Sequence, residues 1–260
     1  MSAPVFLADG PLGPLAPGDP FVLDGAEGRH AGVVQRREPG EVVDVVDGAG
    51  ARVRAEVTAV DGGEVRLTVR SVDVEAAPAV RLTLVQALAK ADRDHQAVEA
   101  AVEVGVDAVV PWQADRSVVV WRGPRAVKSH ARWESVVRAA VKQSRRAWLP
   151  PVAEHVTTAG LVARTRQVLA AGGGVVVLHE EATTPLADVP LPAPTADPSP
   201  GAAPELLLVV GPEGGISPTE VDALAAAGAV AARLGPHVLR TSTAGPVAVA
   251  LLSDRLGRWR

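Results

Sequence analysis

The sequence predicts an α/β protein: a parallel sheet covered on both faces by helices, preceded by a small β-barrel domain. Three observations carry this. Up to about residue 73, apolar residues alternate in short runs separated by Gly/Asp turns. From Val80 onward the pattern changes to strands alternating with helical spacing. Near the C-terminal end, the apolar run Leu206-Leu207-Leu208-Val209-Val210 leads straight into Gly211-Pro212-Glu213-Gly214-Gly215 and then a helix start signal.

Taken in order, Val42-Val43-Asp44-Val45-Val46 stops at Asp47-Gly48, a hairpin signal, and 52–57 alternates with period two. Asp61-Gly62-Gly63 turns the chain into 65–69, again alternating. Short strands with such turns suggest a small barrel over residues 1–74. Glu75-Ala76-Ala77-Pro78 reads as a linker to a second domain, 78–260. There, 80–88 is a strand and 92–103 a helix with Val98, Ala101 and Val102 on one face, stopped by Gly105. A strand at 106–111 and a long helix at 126–147 follow. Strands at 174–178 and 206–210 have a helix before the first and after the second. The last strand, 230–234, gives way to a loop at 235–241 and a final helix to about Leu256. Residues 185–204 are rich in Pro and Ala and lack periodicity, so they read as a flexible surface insertion.

The loop at 211–215 is the most informative stretch. The run before it is short, continuous and bounded by breakers, as a buried parallel strand should be. After it, Ser217 can cap the next helix, Pro218 suits the first helical position and Glu220 completes a capping box. Strand, glycine-rich loop and capped helix bring bare backbone against a ligand at the carboxyl end of a sheet. A tight turn alone needs less than these glycines around a rigid Pro-Glu pair. The loop matches neither a Walker loop nor the dinucleotide fingerprint.

Composition narrows the function classes. The chain has no cysteine, which excludes disulfides and thiolate metal sites. Its six histidines show no ligand spacing, so no metal is expected. Met1-Ser2-Ala3-Pro4 lacks a signal pattern and no uncharged stretch is long enough to span a bilayer, so a cytoplasmic protein without a membrane partner is expected. Tyrosine is absent, which argues against base-stacking platforms. The net charge is −4, yet cations collect at Arg116, Arg122, Arg125, Lys128, Arg132, Arg138, Lys142, Arg145 and Arg146, alongside Trp121, Trp133 and Trp148. Segregated cations in an acidic chain are what a phosphate backbone recruits, although a solvated helix face has the same appearance. Arg29, His30, Arg36 and Arg37 add a weaker cluster.

Several segments, in order, carry a resemblance: Lys90, Glu99-Ala100-Ala101-Val102-Glu103-Val104-Gly105-Val106, Pro111, Asp115-Arg116-Ser117, Arg132-Trp133, Gln143-Ser144-Arg145-Arg146 and Pro150-Pro151. The loop at 211–215 and Leu234-Gly235-Pro236-His237-Val238-Leu239-Arg240-Thr241 complete it. Together they resemble the ribosomal RNA small subunit methyltransferase E family, of the SPOUT class, over nearly the whole chain. The resemblance implies that 1–74 is a PUA-like, RNA-binding β-barrel and that 78–260 is a SPOUT domain with a C-terminal trefoil knot. Spacing alone would never suggest a knot. It further implies S-adenosylmethionine as methyl donor, N3 of a uridine in 16S rRNA of the small ribosomal subunit as acceptor, and a homodimer.

In that family three strand-end loops hold the cofactor in a bent form. Carried onto this chain, they comprise Leu178 and His179, then Gly211, Pro212, Glu213, Gly214 and Gly215, then Leu234, Gly235, Leu239, Arg240, Thr241 and Ala244. Leu208, Leu234 and Leu239 are expected to line the adenine pocket. Arg29, Arg36, Arg116, Arg132, Lys142, Arg145 and Arg146 are the expected RNA contacts.

Methyl transfer from a sulfonium requires an in-line nucleophile, and uracil N3 carries a proton that must leave. Arg240 is expected to organise the substrate and favour its anion electrostatically, with a structural ion pair as the alternative. Many relatives carry Thr-Glu-Thr after this arginine, whereas here Thr241-Ser242-Thr243 follows, which removes the obvious general-base carboxylate. Glu213 and His237 are the titratable candidates nearby. His179-Glu180-Glu181 is either part of the cofactor loop or a solvated turn. A non-catalytic RNA-binding or assembly factor, or an enzyme on another RNA, is the competing reading. The intact Gly211, Gly214 and Gly215 favour the enzyme.

Overall fold

A computed structural model describes residues 3–196 and 201–259. They form two compact units, one of residues up to Ala77 with Val141–Leu149, the other of Pro78–Ala140 with the residues from Pro150 onward.

The first unit is built on a five-stranded sheet of β1 (Val5–Leu7), β2 (Pro20–Leu23), β3 (Val42–Val46), β4 (Ala51–Asp61) and β5 (Glu64–Val74), in the order β1-β3-β4-β5-β2. β1 runs parallel to β3 and the other pairs are antiparallel. Alternation sets the inner face: Val53, Ala55 and Val57 of β4 and Val65, Leu67 and Val69 of β5 are buried with Phe6 and Leu23. The sequence pattern reads as β throughout, but the chain between β2 and β3 forms the helix α1 (Gly25–Arg29) and a π-helical turn, His30–Val34. A close approach explains why local pattern missed it. A Cβ on Gly28 would lie 2.3 Å from the Gly63 carbonyl oxygen and 2.4 Å from that of Leu23, so this turn is packed onto the β4–β5 hairpin.

Segment Val141–Leu149 joins this unit although the sequence places it in the second domain. Ala147 is buried with Val5, Leu7 and Val46, the Trp148 indole donates to the Glu75 carbonyl and the Leu149 amide donates to that of Gly48. These partners are distant in sequence, so chain order gives no hint of them.

The second unit holds an all-parallel six-stranded sheet of β6 (Arg81–Ala87), β7 (Ala108–Gln113), β8 (Val156–Thr157), β9 (Gly174–Leu178), β10 (Glu205–Val210) and β11 (Val230–Ala232), ordered β11-β9-β10-β6-β7-β8. Its helices are α2 (Arg93–Glu103), most of α3 (Pro124–Ser144), α4 (Thr158–Ala170), α5 (Pro218–Ala226) and α6 (Thr241–Arg255). Both faces of the sheet are covered, as a parallel sheet requires. Leu207 and Val209 of β10 pack with Leu161 and Val168 of α4 and Leu224 of α5. α2 and α6 pack against each other and against β6 from the other side.

Several element boundaries differ from expectation, β7 among them, which runs two residues later than the expected 106–111. α3 ends at Ser144 because Arg145 turns left-handed, at φ 58°. β11 ends at Ala232, which leaves Leu234 in the following loop. The stretch 185–204 begins as a fixed piece of the core: Leu186 and Val189 are buried, and their carbonyls accept hydrogen bonds from Arg255. Residues 197–200 of that stretch lie outside the described residues.

Candidate active site

Parallel strands deliver their carboxyl ends to one edge of a sheet, and ligands collect there. In the second unit the loops after β9, β10 and β11, with the first turn of α6, line a cavity of about 820 Å³. Leu178, His179, Gly211, Pro212, Glu213, Gly214, Gly215, Leu234, Gly235, Leu239, Arg240, Thr241 and Ala244 all line it. Leu208 does not. It is fully buried in mid-strand, in register with Val176 and Leu84, on the face opposite Leu207 and Val209. A strand buried on both faces gives no alternation from which its facing could be read.

The wall formed by 211–216 is held from every side. A Cβ on Gly211 would lie 2.6 Å from Ile216 Cγ1, and Gly215 sits at φ 73° with its amide donating to the Pro212 carbonyl. The Thr241 hydroxyl donates to the Gly211 carbonyl at 2.6 Å, and Arg116 Nη1 donates to that of Gly214 at 2.9 Å. Glu213 Oε1 accepts from the Lys90 amide at 3.2 Å and Arg93 Nη1 at 3.1 Å. This carboxylate therefore ties the loop to the start of α2.

The capping box expected at α5 forms, with Ser217 and Glu220 bonding reciprocally. Glu220 is buried and does more than cap: its oxygens also accept from the Asp115 amide and the Thr158 hydroxyl. Burial alone would push its carboxyl up, but those hydrogen bonds outweigh burial and hold it below the usual carboxylate range. Through Asp115, the same carboxylate fixes the segment that carries Arg116 over the glycine loop.

The opposite wall is free. Among the described residues, none of 234–239 takes part in a hydrogen bond or ion pair. A Cβ on Gly235 would meet nothing within 4 Å, and Val238 is 74% exposed. Arg240 follows at the N-cap of α6, its carbonyl accepting from the Thr243 and Ala244 amides. Arg240 lines the cavity, and its side chain has no ion-pair partner among the described residues. His237, Glu180 and Glu181 line the same space.

The basic run separates. Arg116 goes to the cavity wall and Arg132 pairs with Asp92 at 3.3 Å, both in the second unit. Lys142 pairs with Glu27 at 2.8 Å in the first unit, so its charge is already matched. Arg29, Arg36 and Arg145 are exposed there, and Arg146 is half-buried. Trp121 and Trp133, which accompany the cations in sequence, are buried and meet edge to face at 5.6 Å. They are core residues and offer no stacking surface.

Sequence reasoning missed Arg93 as a cavity residue. Its signal was positional: it follows the carboxyl end of β6, and such ends surround ligands in parallel sheets. Among the described residues, no group of three His, Asp or Glu is placed to hold a metal ion, and no helix is long and apolar enough to cross a membrane.

An RNA methyltransferase domain model matches residues 76–253. Ribosomal RNA small subunit methyltransferase E of Mycobacterium bovis is 47% identical over 240 residues, 92% of this chain and 87% of that protein. Among solved structures, ribosomal RNA small subunit methyltransferase E from Neisseria gonorrhoeae, bound to S-adenosyl methionine, matches with a TM-score of 0.82 at 26% identity over 98% of each chain. A putative methyltransferase from Legionella pneumophila, in complex with bound cofactor SAM, matches with a TM-score of 0.82 at 26% identity over 98% of each chain.

Proposed function

The chain belongs to the ribosomal RNA small subunit methyltransferase E family, and from that premise we propose that it transfers a methyl group from S-adenosylmethionine to N3 of a uridine in 16S rRNA. The observation that carries this reading is the cavity at the carboxyl edge of the parallel sheet, with glycine backbone on one wall and, on the other, Arg240, which has no ion-pair partner among the described residues. The glycine loop and Leu178, Leu234 and Leu239 receive the donor, bare backbone at 211–215 admitting close contact.

Arg240 faces the acceptor. Bound S-adenosylmethionine would supply the methyl group in line with N3, and the exposed Arg240 guanidinium would stabilise the uracil anion formed as N3 gives up its proton to water. Glu213 holds the loop through Arg93 and Lys90 and is assigned to structure, not to proton removal. The sheet of the first unit serves as a PUA-like, RNA-binding barrel, its exposed Arg29, Arg36 and Arg145 meeting phosphates.

Two further features of the family are proposed for this chain. After β11 at one edge of the sheet, the chain returns to lay α6 against α2 and β6, a path that supports a C-terminal trefoil knot. On α6, Val247 and Leu251 are 38% and 47% exposed one turn apart, an apolar face suited to a second copy in a homodimer. The acceptor places the work in the cytoplasm.

The test is methylation of small ribosomal subunits from a strain lacking this methylation, with labelled S-adenosylmethionine, followed by mass mapping of the 16S rRNA. A single 3-methyluridine is expected. A methyl group on another base, or none with donor bound, overturns the acceptor assignment.

A further inference from the structure

Inside the apolar strand β6 stands a primary amide, Gln86, fully buried between β10 and β7. A buried amide is costly unless its hydrogen-bonding capacity is used. Gln86 Nε2 donates to Thr241 Oγ1 at 2.9 Å and to the Ala87 carbonyl at 3.2 Å. The Thr241 hydroxyl, 6% exposed at the first position of α6, donates in turn to the Gly211 carbonyl at 2.6 Å. A hydroxyl has one proton, so accepting from Gln86 directs that proton at Gly211. The relay therefore has a fixed sense, from sheet to helix to glycine loop. One turn further along α6, a Cβ on Gly245 would lie 3.2 Å from Leu84 Cδ1 and 3.5 Å from Gln86 Oε1, so the helix sits directly on this strand.

We infer that Gln86 and Thr241 are positioning residues for the methyl-donor site. They set the height of the Gly211 carbonyl and the start of α6, and thereby the point at which Arg240 leaves the backbone. Gln86 does not line the cavity and acts only through Thr241. Gln86 Oε1 has no hydrogen-bond partner among the described residues, so replacing the amide with an apolar side chain of similar length removes an unsatisfied acceptor together with the two bonds that Nε2 donates. A role in stability alone predicts little from such a change. A positioning role predicts weaker donor binding.

The inference rests on the proposed methyl-donor function, and calorimetric titration of S-adenosylmethionine into the full chain separates the two. If the wild-type chain fails to bind, the functional reading falls. With binding in hand, Gln86→Met and Thr241→Val are each expected to weaken it about tenfold, with the thermal midpoint within about 2 °C of wild type. The double variant is expected to bind no more weakly than Thr241→Val, because the two act in series. Thr241→Ser, which restores the hydroxyl, is expected to recover most of the affinity lost in Thr241→Val. Wild-type affinity in both single variants, additive losses in the double variant, or no recovery with serine overturns the relay. Affinity loss that tracks a large fall in the midpoint overturns it too. Should Gln86→Met not fold, the Thr241 pair decides.

Discussion

The two walls of the cavity are built on opposite plans. The 211–216 wall is tied to α2 through Glu213, to the Arg116 segment through Gly214, to α6 through Gly211 and to α5 by a capping box. The 234–239 wall has no such tie among the described residues, yet it leads directly into Arg240. The difference separates two tasks. A wall fixed before the ligand arrives contributes affinity, because little ordering remains to be done on binding. A wall that is free to close can complete the site around two substrates and carry the group that acts on the second.

The largest effect expected from this contrast is at the free wall. Arg240→Ala should lower kcat about 10²- to 10³-fold while leaving the S-adenosylmethionine Kd nearly unchanged. Single-turnover methyl transfer alongside donor titration checks this. An equal loss of donor affinity would make the free wall a binding wall and erase the distinction.

A matched pair of substitutions comes next. Gly211→Ala places a Cβ 2.6 Å from Ile216 Cγ1, whereas at Gly235 it meets open space. The first should weaken donor binding about tenfold and the second should change it less than about twofold. Comparable losses at both positions would mean that the walls respond alike.

The smallest effect concerns the base of the tied wall. The Glu220 carboxyl is held below its ordinary value of 4.5, burial being outweighed by the bonds from Thr158, Asp115 and Ser217. A carboxyl lowered in the folded state stabilises fully above the unfolded value, and that contribution disappears as pH falls through the folded one. Urea unfolding between neutral pH and about pH 3 should therefore show a shallower acid limb for Glu220→Gln than for wild type. An identical slope would remove Glu220 as the pH-dependent anchor.

Legibility in the sequence followed the range of the interactions. The strand, glycine loop and capping box from β10 into α5 were readable because every signal lies within a few residues of its effect. The alternation of apolar runs with helical spacing after Val80 likewise revealed the parallel sheet. What failed depended on distant partners. The helix at α1 rests on a carbonyl of the β4–β5 hairpin, and segment Val141–Leu149 finds its neighbours in β1 and β3. Leu208 could not be assigned a face inside a strand with no polar side. Glu213 reads in sequence as a candidate base, and only the fold shows that its Oε1 accepts from Arg93 and the Lys90 amide. Gln86 did leave a trace, as the lone amide in an otherwise apolar strand end, but only its partner 155 residues away gave that trace meaning.

The open space around Gly235 has a practical side. Because the chain contains no cysteine, one introduced at that position would be its sole thiol. A fluorophore or spin label attached there would report on the free wall alone, without a competing site to remove first. The closing of that wall around donor and RNA thus becomes something to time directly, in a protein otherwise left in its natural sequence.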